Sequence, residues 1–345
     1  MARVAGTDFE KRDLYRLSVN MDQLASMEEA ELKDGRGQGM KVYRVRSQSG
    51  LAFDLHAGRA MDIGALSYKG INISLLTRNG VVTPENIFPA NGEFERFFGG
   101  GMLWTCGLKN AGPNYTDEAG QFHHLHGRIG TVPPEQTWKK AGFVGEEYVL
   151  EAGSVSRDTT IEGHNLSLTR QITTTLSKAE IEIRDTVENL DCCTADYLLL
   201  YHFNFGFPFL SEHLRLLFPP SIKNVQPRND EAKQYLDKWH QITQPVDGAQ
   251  ENVFFHFPAH EEDGTACVKL ENPALGIGAY LKYETRHLPY LIQWKCMRSG
   301  EYALGIEPGN NLISSMPAER AAGRSVPLSP FEKHTVSIRL GFYEL

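Results

Sequence analysis

The chain has 345 residues, of which 41% are hydrophobic and 23% charged, with a formal net charge of -8. This composition is that of a globular protein and excludes a disordered chain, while the acidic balance excludes a nucleic-acid backbone as partner, which needs a basic face. The 32 glycines and 17 prolines are spread along the chain and suit a fold with many turns.

The N-terminal stretch MARVAGTDFEKRDLYRLS has no apolar core of signal-peptide length and carries acidic residues at once. The longest apolar runs, such as Tyr197 to Phe203, are too short to span a bilayer. Cys106, Cys192, Cys193, Cys267 and Cys296 are odd in number and lack CxxC spacing, so they are expected as reduced thiols in a cytoplasmic protein.

In chain order, a weak helical stripe starts at Met21 and Leu24, between Asn20 and Leu32, before the turn GRGQG. Residues 1–40 are read as an N-terminal extension packed on a single β-sandwich domain, 41–345. Strands are expected around Tyr43–Val45 and Ile71–Leu75. RFFGGGMLWTCG then sets Arg96 before three glycines; without a GK[ST] ending it is no phosphate-binding loop, and a turn close to a ligand is its expected use.

HHLHGRIGTVP follows, read as a strand with His124, His126 and Arg128 on one face, a set suited to oxygen-rich or anionic ligands. His-x-His on a strand also begins a cupin-type metal site, but here no acid follows until Glu135, so the ligand set is incomplete. Period-two alternation then marks Tyr148–Leu150, LSLTRQI from Leu166, and AEIEIRDTVEN, where Ile181, Ile183 and Val187 oppose Glu180, Glu182, Arg184 and Glu188.

YLLLYHFNFGFP is the sharpest anomaly. Tyr197, Leu199, Tyr201, Phe203 and Phe205 fill one face, and Leu198 and Leu200 begin the other, which continues as His202 and Asn204. A strand apolar on both faces is buried, so two successive polar groups need partners and suggest a strand opening into a cavity. A core histidine satisfied by a carboxylate is the plain alternative. A helix is expected after Asn229, a candidate N-cap, with Ala232, Tyr235, Leu236 and Trp239 on one face.

Strands recur at Val268–Leu270 and Ile277–Tyr283, and QWKCMRSGEY carries Trp294, whose face suits a sugar ring, and Lys295. In EYALGIEPGNN, Ala303, Gly305 and Glu307 share a face whose small residues leave room for a close approach. A desolvated Glu307 would have a raised pKa, useful in a base; a surface glutamate is the alternative. The last strand sets Val336, Ile338, Leu340 and Phe342 opposite Thr335, Ser337 and Arg339. Many strands with few helices predict an all-β fold of antiparallel sheets, a large sandwich or barrel. No GxSxG elbow or activated cysteine offers an acyl-transfer site.

Over residues 40–345, HLHG at His124–Gly127, YHFNFG around His202 and GIEP around Glu307 resemble, in that order, the aldose 1-epimerase (galactose mutarotase) superfamily. The resemblance implies its supersandwich fold, His126 against the sugar, His202 as general acid and Glu307 as general base, with no cofactor and no metal. Arg96 resembles the arginine that contacts substrate in the hexose-phosphate branch. Two departures stand out: Arg128 replaces the usual glycine, and the aspartate expected between acid and base strands has Glu251, in QENVFFH, as its nearest match. LHGRI, YHFNFGFP and QWK resemble a branch without an established substrate.

The expected function is anomer interconversion of a free sugar, acidic or phosphorylated sugars included. Asn204, Lys295, His124, His126, Arg96, Arg128 and Glu251 are the expected substrate contacts. The expected partner is a small-molecule carbohydrate, with no nucleic acid and no membrane; a homodimer is left open. A sugar-binding protein without an acid–base pair, and a metal-dependent cupin-type isomerase, are the competing readings.

Overall fold

A computed structural model describes residues 1–87, 94–219, 224–258 and 261–345. The expected alternation folds into three larger antiparallel sheets. The longest is eight-stranded, in the order Gln136–Val144, Glu147–Thr159, Asn165–Thr175, Glu180–Asn189, Lys333–Glu344, Ile277–Glu284, Thr265–Asn272 and Arg215–Leu217. A five-stranded sheet comprises Ala25–Glu31, Lys41–Ser47, Leu51–His56, Asp62–Tyr68 and Ile71–Asn72. A third, here the site sheet, runs Val225–Pro227, Asn252–His256, Tyr290–Arg298, Glu301–Gly309, Ala195–Phe205 and Val326–Leu328, with Leu103–Leu108 also paired to Ala195–Phe205.

The inward faces of these sheets meet in one apolar core. Leu168, Ile172, Ile183, Leu281, Ile338 and Leu340 come to it from the eight-stranded sheet, Leu199, Tyr201, Phe203 and Phe205 from the site sheet. Each such side chain fully buried is worth about 1.5–3 kcal/mol relative to exposure. On the reverse face of the site sheet a second cluster collects Trp104, Leu198, Leu200, Val253 and Ile292. Ala195–Phe205 is therefore covered on both sides, as its double apolar face requires.

A charged network is sealed between the sheets. Arg170, with Nε and Nη2 2.9 and 2.6 Å from Asp185, also donates to Asp62 at 2.7 Å. Tyr201 donates to Asp185 at 2.8 Å, Thr105 to Asp62 at 2.6 Å, and Arg59 to Asp62 at 2.7 Å. The Arg59 guanidinium lies 3.9 Å from the Trp104 ring centroid. Tyr201 and Thr105 are chain neighbours of His202 and Trp104, so this network pins the backbone beneath two residues of the opposite face.

Two helix expectations are revised. Asn20 does cap a helix, the 3-10 turn Met21–Gln23, but Ala25–Glu31 continues as a strand paired with Lys41–Ser47. A boundary at residue 40 therefore falls inside a sheet. Asn229 caps Asp230–Lys233, accepting a 2.9 Å bond from the Ala232 amide, yet the expected stripe breaks into this helix and a 3-10 turn, Leu236–Lys238. Unexpected helices among the described residues include Lys11–Leu17, Phe94–Phe97 and Met316–Ala321. Among the described residues no helix is long and apolar enough to cross a membrane.

Candidate functional site

Register creates the site. Phe203 pairs with Ile306 and Asn204 with Gly305, which sets His202 directly across from Glu307. On the other side His202 pairs with Trp104, while Trp294 pairs with Gly305 and Ile292 with Glu307. Pleating sends His202, Glu307, Gly305, Ala303, Trp294 and Ile292 to the same face. That face floors a cavity of about 770 Å³, walled by Phe94, Phe98 and His126.

His202 Nε2 and Glu307 Oε1 stand 3.1 Å apart. Both residues are buried, with 6% and 2% of their surface exposed. The 3.1 Å approach lacks hydrogen-bond geometry, so His202 Nδ1 and Glu307 Oε1 are both without a hydrogen-bond partner among the described residues. Orphaned buried polar atoms are costly, so their presence on a cavity floor points to a polar ligand that supplies the missing bonds.

Burial governs the charge of the pair. It lowers the His202 pKa to about 3, helped by repulsion from His126 and opposed by the neighbouring Asn204 side chain. It raises Glu307 well above the usual carboxylate range, with the Glu251 charge adding to the rise and Arg228 opposing it. Burial thus favours the uncharged form of each group, a protonated Glu307 beside a neutral imidazole. A carboxylate base and an imidazolium acid differ from this arrangement by one proton on His202 instead of Glu307, at no change in net charge.

Gly305 makes the room. A Cβ there would collide with Glu307 Oε1 and come within 3.2 Å of His202 Cε1. The small-residue face does serve a close approach, but what approaches is the His202–Glu307 pair itself. Glu307 accordingly lies on the floor of the cavity and is not a surface glutamate.

The His124–Arg128 segment is not a strand face. Strand Phe122–His123 ends before it, and the chain turns with left-handed φ at His126 (63°) and Gly127 (73°). A Cβ at Gly127 would strike the carbonyls of Asn110 and Gly107, so glycine is required there. The turn carries His126 to the cavity, its ring centroid 5.7 Å from that of His202, and leaves Arg128 exposed and His124 packed on Phe122, both off the cavity lining. His126 Nδ1 lies 3.0 Å from the Ala111 carbonyl, which can only accept, so Nδ1 holds the proton and Nε2 is an acceptor. Burial, with Arg228 nearby, lowers its pKa to about 4.

Other expected contacts are distributed differently. Glu251 lines the cavity and accepts a 2.8 Å bond from Trp294 Nε1, making the indole a fixed wall 5.4 Å from the His202 ring. Asn204 lies outside the lining; its Nδ2 donates to the Gly101 and His202 carbonyls, making it a support for His202. Lys295 points to the reverse face, because it alternates with Trp294, and its Nζ donates to the Lys238 carbonyl at 3.0 Å. Burial lowers its pKa to about 8. Arg96, in the short helix Phe94–Phe97, is exposed and off the lining, whereas its neighbours Phe94 and Phe98 are on it.

Arg228 was not anticipated. It lines the cavity and its field reaches both Glu307 and His126. In sequence it is a lone arginine before a helix cap, and only the pairing of Val225–Pro227 with Asn252–His256 brings it to the cavity.

Comparison with known proteins places the fold. No curated protein matches the chain. Among solved structures, a candidate aldose 1-epimerase from Klebsiella pneumoniae subsp. pneumoniae MGH 78578 is similar at 26% identity and TM-score 0.88, over 94% of this chain and 86% of that one. A galactose mutarotase-like protein from Clostridium acetobutylicum matches at 15% identity and TM-score 0.63, over 94% of this chain and 100% of that one. Galactose 1-epimerase from Lactobacillus acidophilus NCFM matches at 12% identity and TM-score 0.58, over 92% and 99%. The family model described as "Domain of unknown function (DUF4432)" matches residues 37–342. The chain belongs to that family and has the galactose mutarotase-like fold.

Proposed function

We propose that the protein is an aldose 1-epimerase-like isomerase that interconverts the anomers of a free sugar by acid–base ring opening and closing. The observation that carries this reading is the His202–Glu307 pair, 3.1 Å apart on a cavity floor with orphaned polar atoms on both residues. The two oxygens that exchange protons in mutarotation, the anomeric hydroxyl and the ring oxygen, hang on one carbon. A base and an acid serving them must therefore be neighbours, and these two residues are.

In the proposed reaction Glu307, as carboxylate, takes the anomeric hydroxyl proton while His202, as imidazolium, protonates the ring oxygen. The C1–O5 bond breaks as the C1 carbonyl forms, C1 rotates about its bond to C2, and reclosure on the other face reverses both proton transfers. Each transfer contributes roughly 10²–10⁴ in rate. The Trp294 face would carry the apolar side of the sugar, and His126 Nε2 would accept from a hydroxyl. No cofactor enters these steps.

A sugar-binding protein would need the cavity but not the pair, so retention of both residues in contact supports the enzyme. The turn at His126 removes the shared His124–His126 face that a cupin-type site would use. Glu307→Gln and His202→Asn test the reading, since both approximate the native shape. Each is expected to slow anomer exchange, followed by NMR, by about 10²-fold or more while sugar still binds in calorimetry. Wild-type protein that binds a sugar yet exchanges its anomers no faster than buffer would replace the enzyme with the sugar-binding reading.

A further inference from the structure

Of the three arginines on the cavity lining, two already have a carboxylate partner. Arg78 and Arg298 both pair with Glu301, at 3.2 and 3.6 Å. Glu251 holds the Trp294 indole. Arg228 differs: its backbone amide is fixed by a 3.0 Å bond to the Val253 carbonyl, but its guanidinium has no ion-pair or hydrogen-bond partner among the described residues. It is also the one cation named among the influences on Glu307 and on His126, so its field reaches the floor on which the acid–base pair sits.

We propose that Arg228 is an anion subsite, which takes an oxyanion carried by the sugar away from the reacting carbon, either a carboxylate or a phosphate. This rests on the reading of the cavity as a sugar site. At about 770 Å³ the cavity leaves space beyond a single ring on the floor. A guanidinium is always charged and offers a planar fork that fits a carboxylate or phosphate with two parallel bonds. Its position on the lining puts it within the reach of a substituent, and its backbone anchor limits where the fork can be presented. Charge-neutral sugars would leave it solvated and contribute nothing to it.

The test uses sugars matched except for the charged group: glucose, glucuronate and glucose 6-phosphate, and the same three for galactose. Calorimetry on wild type should show one anionic member of a set binding tenfold or more tighter than its neutral parent, the gain expected of a charge-assisted hydrogen bond. The uronate and phosphate arms tell which oxyanion fits. In Arg228→Gln that ratio of affinities should collapse toward one, and Arg228→Lys should restore only part of it, because the charge returns without the fork. Because the side chain has no partner to lose, both variants should melt with wild type.

No anionic preference in wild type would overturn the subsite. So would a preference that survives in Arg228→Gln, or equal losses for charged and neutral sugars. Anomer exchange measured on the same samples keeps the two ideas apart. Tight anionic binding without exchange would sink the isomerase and leave the subsite standing; exchange of neutral and anionic sugars alike would do the reverse.

Discussion

Trp294 and Glu251 are joined by a 2.8 Å bond from the indole Nε1–H to carboxylate Oε2, across the register of strands Asn252–His256 and Tyr290–Arg298. Glu251 therefore acts on the site twice: it orients the wall beside His202, and its charge helps keep Glu307 protonated. Glu251→Gln retains an acceptor for the indole but removes the charge, so the alkaline limb of the pH–rate profile should move to lower pH. Glu251→Ala should show that shift and also a raised KM and altered tryptophan fluorescence. Identical profiles for both variants and wild type would remove Glu251 from the site's electrostatics.

Gly305→Ala tests whether the pair depends on the space beside it. The added methyl would meet Glu307 Oε1 and crowd His202, so the carboxylate must shift. Misplacement of a reacting group by about 1 Å can cost about 10²-fold in rate. Anomer exchange should fall by that order while circular dichroism stays that of wild type.

The pH dependence of the rate follows from the proton shared by the pair. Activity requires one proton on two groups; it ends when His202 and Glu307 are both protonated, or both unprotonated. With His202 lowered to about 3 and Glu307 raised, the plateau should extend below the ordinary histidine range and above the ordinary carboxylate range. An acid limb at pH 6.5 in kcat/KM would contradict a buried, neutral His202.

Stability should fall on the acid side for the same reason. His56, His202 and His256 are buried with pKa values lowered from 6.5 to about 3, 3 and 4. The unfolded chain takes up these protons first, so stability present above pH 6.5 is lost as pH falls toward those folded values. Each histidine contributes a slope of up to about 1.4 kcal/mol per pH unit. Urea titrations at pH 7, 6 and 5 should show the loss, and His202→Asn should make it shallower.

Removing one partner from the sealed network should be severe. Asp185→Ala strips Arg170 of two hydrogen bonds in a fully buried setting and leaves the Tyr201 hydroxyl without its acceptor. A broken buried pair costs about 3–5 kcal/mol. Denaturant midpoints should reveal a loss of that size, and a change under 1 kcal/mol by the same measurement would mean that water replaces the carboxylate.

The antiparallel all-β fold was legible from alternation, because a period of two buries one face of each segment only when strands pair into sheets that pack face to face or close on themselves. Leu166–Ile172 and Val336–Phe342 lie inside the strands Asn165–Thr175 and Lys333–Glu344. His202 and Glu307 stood out for a related reason, as ionisable groups continuing faces otherwise filled by Leu200 and by Gly305. Where the polar residues lie on a turn, alternation misleads. His124, His126 and Arg128 share parity, but the left-handed backbone at His126 and Gly127 sends only His126 inward.

Parity also hides which face of a sheet bears the site. Trp294 and Lys295 are adjacent in sequence, yet the pleat puts one at the cavity and the other against the Lys238 carbonyl. Local sequence thus sets strand identity and which side chains share a face. Distances between strands depend on register, and register is decided by the packing of whole sheets. The 3.1 Å contact of His202 with Glu307 joins residues far apart in the chain, and the arrival of Arg228 depends on an edge strand of three residues. No short-range pattern encodes either, because each arises only when distant segments exchange their hydrogen bonds.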